Sequence, residues 1–219
     1  MTIALDKRAA GCADTILAMV ASDGTAASPH ARALMQPAAT LRDIADAVHA
    51  LCVIHGAFPG IVDRAGTACV DPAEGTWLER AAAAMSAERA LLVRLTAAAG
   101  PLPSTPGQAA SETAITGQRN ALEMLARSDR RGCATGTAIA FVLDWAAVRG
   151  VLDACAKRMA LPAGAPFAQV ASETITLLRA IEAPAPVERA MAFGAQQMLA
   201  QHRGLWQLLE ARAVARGEM

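Results

Sequence analysis

The sequence predicts an all-α fold, a single domain over residues 1–219 built as a bundle of about six or seven mostly antiparallel helices. Three observations carry this. Apolar residues recur at alternating spacings of three and four, the period of a helix with one buried face. The composition leaves little for a sheet: there is no Tyr, with only three Trp and four Phe, and no alternating β-branched run stands out. The core is therefore built from Ala, Leu, Val, Ile and Met, small side chains that favour close helix packing. Thirdly, the connections between periodic stretches are short, as in an up-and-down bundle. At 219 residues and 54% hydrophobic, the chain is large enough to bury a substantial core.

The elements follow in order. Leu5, Ala9, Cys12, Ile16 and Met19 make a first stripe, ended by SDGTAASP. Ser28-Pro29 caps a short helix reaching Met35, before Pro37. Thr40 caps a helix with Leu41, Ile44, Val48, Leu51 and His55 on one face, stopped by Gly56 and Pro59. Residues 58–75 have no period and read as a loop. Thr76-Trp77-Leu78-Glu79 reads as a capping box before a long Ala-rich helix to about Ala99. Thr105-Pro106-Gly107-Gln108 repeats that logic for a helix to about Arg127.

Gly132 to Met159 is the segment around which the rest is arranged. Phe141, Trp145, Val148, Leu152, Cys155 and Met159 form one stripe, and Ile139, Val142, Leu143 and Ala146 a second beside it. A helix apolar over so much of its girth is touched from several sides. Gly132, Gly136 and Gly150 let neighbours approach closely. Leu161 to Gly164 ends it. Phe167, Val170, Thr174, Leu177 and Ile181 mark the next helix. After Pro184 and Pro186, Val187, Met191, Gly194, Met198, Leu205 and Leu208 face inward on a last long one.

Charge and cysteine usage narrow the functional classes. There are 20 basic and 20 acidic residues, a net charge of zero, so nucleic acid is disfavoured as the main partner. The basic residues are almost all Arg, which with abundant Ala reads as the codon usage of a GC-rich bacterial genome. The five Cys include no CxxC pair and read as reduced thiols. The longest apolar run, Gly132 to Leu143, is 12 residues, short of the roughly 20 that cross a bilayer. The N-terminus lacks the order of a signal peptide. A cytoplasmic protein without a membrane partner is the expectation.

Several positions carry candidate chemistry. Glu88 continues the core line of Leu78, Ala81, Met85, Leu92 and Leu95; a carboxylate there is paired with a neighbouring Arg, protonated or used. His49, Cys52 and His55 lie three apart on one helix, within an arc of about 120°. Imidazole and thiolate suit zinc, copper or iron, and Cys69, His30 or a carboxylate would have to complete such a site. The alternative is a core-edge His bonded to a backbone carbonyl beside an inert Cys. Glu112, Thr116, Arg119 and Glu123 share a face with Asn120 beside them, read as solvated or as a polar lining turned toward Glu88. Trp145 and Arg119 join Glu88 and His202 as candidate ligand-binding residues; a satisfied, partly buried His202 is the competing reading. No Walker loop, GxGxxG, GxSxG or HExxH occurs. No Glu-x-x-His occurs either, so the helix number and length of a ferritin-like bundle come without di-iron ligands.

The TLRDIADAVHALCVIHGAFPG and RRGCATGTAIAFVLDW segments resemble uncharacterised bacterial helical proteins, of the kind grouped as domains of unknown function. That resemblance implies no activity. The leading functional expectation is a non-enzymatic protein that binds a protein partner or small apolar ligand, as a homodimer. The alternative is a metal- or haem-dependent enzyme with its site inside the bundle, using Glu88 as catalytic candidate with His49, His55 or His202. Binding predicts an exposed apolar groove and scattered histidines; catalysis predicts three such groups converging on one cavity with shifted pKa values.

Overall fold

The computed structural model describes residues 11–67, 69 and 71–217. Among them run nine α-helices and no strand: α1 (Cys12–Asp23), α2 (Pro29–Leu34), α3 (Leu41–His55), α4 (Ile61–Thr67), α5 (Pro72–Ala99), α6 (Gln108–Ala126), α7 (Cys133–Arg158), α8 (Ala168–Ala180) and α9 (Ala185–Gly217). The surplus over six or seven comes from short pieces such as α2 and α4. A 3-10 turn, Thr25–Ala27, joins α1 to α2. Leu5 and Ala9, expected on the first stripe, lie outside the described residues.

Local chemistry sets most boundaries. Ser28 Oγ accepts from Ala31 N with Pro29 at the first helical position of α2, and Thr40 Oγ1 accepts from Asp43 N at the head of α3. Four expectations are corrected. The loop over 58–75 holds α4 and the start of α5, which begins at Pro72 because Asp71 accepts from Ala73 N and Glu74 N. Thr76 is thus inside α5, its hydroxyl donating back to Pro72 O, and no capping box forms there. Thr105 does not cap α6 either; Gly107, at φ +71°, occupies the N-cap position. Leu41, expected inward, is 60% exposed at the first turn of α3.

Every helix contributes to one hydrophobic cluster, and α7 is its axis, with 17 of its 26 residues buried. The long helices α7 and α9 touch through glycine. A Cβ on Gly136 would lie 2.1 Å from Met191 O, and one on Gly194 2.2 Å from Cys133 O. Backbones this close leave no room for a methyl group on either side.

At the far end of α9 a buried ion cluster holds it to α3. Arg212 grips Asp46 with two nitrogens, Nε to Oδ2 at 2.8 Å and Nη2 to Oδ1 at 2.9 Å. Arg216 donates to Asp46 Oδ2 at 2.6 Å and to Asp43 Oδ1 at 2.7 Å. Thr105 Oγ1 accepts from both arginines, which is why its hydroxyl is not at a helix cap.

No helix among the described residues is long and apolar enough to cross a membrane.

Candidate functional site

The site grows from one face of α7. Phe141, Asp144, Trp145 and Arg149 follow at spacings that bring them to adjacent positions around the helix, and all four are buried. Two of them are charged, in the most deeply enclosed helix of the protein. Burial of such groups demands partners, and each has them.

Asp144 anchors the first set. Its Oδ1 accepts from Thr25 N and its Oδ2 from Thr25 Oγ1, both at 2.6 Å. Thr25 Oγ1 in turn accepts from Trp206 Nε1 at 2.9 Å. His202 Nδ1 donates to Asp144 Oδ2 at 2.6 Å. A carboxylate oxygen accepts, so this bond places a hydrogen on His202 Nδ1. His202 Nε2 and His55 Nε2 share a hydrogen bond of 2.9 Å, and His55 Nδ1 is not part of it. The three side chains form a buried relay, carboxylate to imidazole to imidazole, from α7 through α9 to the end of α3. Phe141 and Trp145 pack on the His55 ring at centroid distances of 4.9 and 5.2 Å. In these surroundings burial holds the His55 pKa well below the ordinary histidine value, and His202 beside it adds to the depression.

The second set is joined to the first through Trp145. Its Nε1 donates to Glu88 Oε2 at 2.9 Å, and Arg149 Nη1 donates to Glu88 Oε1 at 2.6 Å. Arg149 also holds Asp153 and the carbonyl of Ala165. Glu88 is thus a paired core carboxylate. Burial pushes its pKa upward, against the opposing pull of Trp145 and Arg149.

The outer end of the relay reaches a small cavity. His55 lines it with Phe141, Leu122, Arg89, Arg119 and Glu123, under the turn that carries Pro59 and Gly60. Its volume of about 20 Å³ is room for one water. Arg89 is bonded to Asp63 at 3.0 Å and lies 5.5 Å from the centroid of the exposed Phe58 ring. Glu123 lies 3.5 Å from Arg64 and 3.7 Å from Arg119.

The candidates thus sort into three groups. Glu88, Trp145, His202 and His55 belong to one connected network, and Arg119 shares a cavity with His55. The metal trio does not converge. His49 Nε2 is bonded to Gly100 O at 2.8 Å, while His55 turns to His202. Cys52 is half-buried and, like the other four cysteines, free. Among the described residues no group of three or more His, Cys, Asp and Glu is placed to hold a metal ion. Of the polar face of α6, Glu112, Thr116 and Asn120 are exposed to solvent, and only Arg119 and Glu123 turn toward the cavity; none reaches Glu88.

Asp144, Thr25, Arg149 and Arg89 were not anticipated as site residues. Asp144 carried a readable signal: an acid between Leu143 and Trp145 on a helix apolar around its girth needs a buried partner as much as Glu88 does. Thr25 carried none, because its role depends on a fold-back from the other end of the chain.

A wider concavity of about 490 Å³ lies where α7 begins and α8 turns into α9. Its lining mixes Leu177, Ile181 and Val187 with Arg130, Arg131 and Glu74, and Glu74 already accepts from Thr135 Oγ1.

Neither a curated protein nor a solved structure matches the chain. The chain belongs to DUF6975, a family of unknown function whose model matches residues 20–217.

Proposed function

We propose that this member of a family of unknown function binds a small ligand without chemical turnover, with one polar atom of the ligand taking the water-sized cavity that His55 lines. One observation carries the reading: the Asp144–His202–His55 relay leaves an imidazole nitrogen free of protein partners among the described residues, on a side chain that borders a cavity. The ligand is polar at the His55 end rather than wholly apolar, since Arg89, Arg119 and Glu123 border the same space. The wider concavity is the weaker candidate because the Asp144–His202–His55 relay does not reach it.

A second reading is acid–base catalysis at His55. The relay favours it, because an oriented neutral imidazole is competent as a general base. Metal or haem chemistry has less support, since the trio His49, Cys52 and His55 does not converge.

The test is a nuclear magnetic resonance screen of protein carrying ¹⁵N-labelled imidazoles. Small amides, amines, alcohols, carboxylates and phosphates are added in turn to the native protein and to His55→Gln, which assigns the signals. At least one class is expected to move the His55 and His202 nitrogens of the native protein. Should no class move them, the reading fails; turnover of an added compound would favour catalysis.

We further propose a bacterial cytoplasmic protein that works as a homodimer. Five free cysteines suit a reducing compartment, and the Arg- and Ala-rich composition suits a GC-rich bacterial genome. The exposed Leu41 and Leu102, beside Pro101 and Pro103, supply an apolar surface for a second copy.

A further inference from the structure

We propose that the concavity where α7 begins and α8 turns into α9 binds a small zwitterion with an aliphatic body, a molecule that carries one ammonium and one carboxylate. This site shares no lining residue with the His55 cavity, and the inference does not rest on the reading above.

Room comes first. A volume of about 490 Å³ falls within the range of small-molecule sites, roughly 300–1,000 Å³. Leu177, Ile181 and Val187 give it an apolar wall, and all three are half-buried. A branched aliphatic body seated there takes the rest of that surface away from water.

Charge comes second. Asp71, Glu74, Asp129 and Glu182 line the concavity together with Arg130 and Arg131. Among the described residues none of these six forms an ion pair, either with one another or with any other side chain. Opposite charges that border one space without meeting suit a ligand that carries both signs and bridges them. A ligand of one sign meets repulsion from part of the lining: a simple amine from the arginines, a simple carboxylate from the acids.

The residues for each end come third. Glu74 is half-buried, whereas the other three acids are exposed. Its Oε2 accepts from Thr135 Oγ1 at 2.9 Å and from Cys69 Sγ at 3.9 Å, and its Oε1 has no protein donor among the described residues. Asp71 is engaged at the head of α5. Glu74 is therefore the residue for the ammonium. Arg130 lies 5.9 Å from the centroid of the Phe193 ring, which is not part of the lining. Arg131 remains for the carboxylate, whose two oxygens match the fork of a guanidinium. The start of α7, capped by Gly132 without a side chain, adds its partial positive charge next to Arg131.

The experiment is calorimetric titration of the native protein with free L-leucine and with three analogues that each lack one part. Isoamylamine lacks the carboxylate, isocaproate the ammonium, and glycine the aliphatic body. Leucine is expected to bind at least about tenfold more tightly than each analogue, the factor that one charge-assisted contact or one buried aliphatic group supplies. Glu74→Gln and Arg131→Gln should each weaken leucine binding by a similar factor, and Glu74→Asp, which keeps the charge, should weaken it less. Neither side chain is buried, and unchanged thermal midpoints show that the variants fold. His55→Gln should bind leucine as the native protein does. Absence of saturable binding at millimolar leucine, a singly charged analogue binding as tightly, or full affinity in both Glu74→Gln and Arg131→Gln overturns the inference. None of these outcomes touches the His55 reading, whose own test follows the His55 nitrogens.

Discussion

Glu88 and Arg149 form an ion pair with side chains only 3% and 8% exposed, so their partnership decides the effect of changing either. Glu88→Ala leaves a guanidinium enclosed without its carboxylate. A loss of about 3 kcal/mol is expected, the usual consequence of breaking a buried pair from one side. Glu88→Met combined with Arg149→Met removes both charges and should recover most of that loss. Urea unfolding of the single and double variants checks this, and a Glu88→Ala protein within about 1 kcal/mol of the native one would show that the pair is not desolvated. The sequence exposed half of this arrangement. Glu88 stood out because a carboxylate interrupts a regular core line. Arg149 did not, since a long polar side chain next to Gly150 reads equally well as solvated, and only the tertiary fold aims it inward. Asp144 lies between the two cases: its place on an all-round apolar helix signals burial, but nothing local names Thr25 and His202 as its partners.

At the scale of the element, the close crossing of α7 and α9 makes a sharp prediction about glycine. In an exposed helix interior, Gly→Ala gains up to about 1 kcal/mol. Gly117, in α6, is exposed with nothing within 4 Å of an added Cβ, and Gly117→Ala should follow that rule. Gly136→Ala should do the opposite. Its methyl group would meet the backbone of Met191, forcing the two helices apart at a cost of about 1–3 kcal/mol. Opposite shifts of the thermal midpoint for the two variants would establish the point, and a stabilising Gly136→Ala would refute it. The glycines of α7 were legible as sites of close approach from composition alone. Helix starts were less so. Thr76 and Thr105 have the residue types of caps, but Asp71 lies upstream of the first and captures the helix start. The second is drawn into the ion cluster of Arg212 and Arg216. Capping signals compete locally, and a distant arginine enters that competition unseen.

For the whole molecule, the titration of the interior sets the response to acid. Burial places the folded-state pKa of His55 well below its value in the unfolded chain, and lowers that of His30 as well. As pH falls below about 6.5, the unfolded chain takes up protons that the fold refuses. This contribution to stability is therefore full above that pH and is lost on acidification toward the folded-state pKa. Glu88 runs the other way, its raised pKa making the fold the better proton binder. With two depressed histidines against one raised carboxyl, denaturant midpoints are expected to drop between pH 7.5 and 5.5, and His55→Gln should flatten the drop. An unchanged slope in that variant would mean that His55 is solvated. The helical class was readable because periodicity is a local property. The relay was not, because it joins α3, α7, α9 and the turn after α1, and no local pattern records which distant polar groups will meet.

That long reach constrains the order in which the protein is made. Thr25 and Trp206 are 181 positions apart, and Asp144 needs both the early threonine and the late His202. During synthesis the N-terminal helices emerge first, yet the interior polar chain cannot close until most of α9 has left the ribosome. A truncated or nascent chain carries the acid of the site without the imidazole that orients it. Whatever the site does belongs to the finished polypeptide alone.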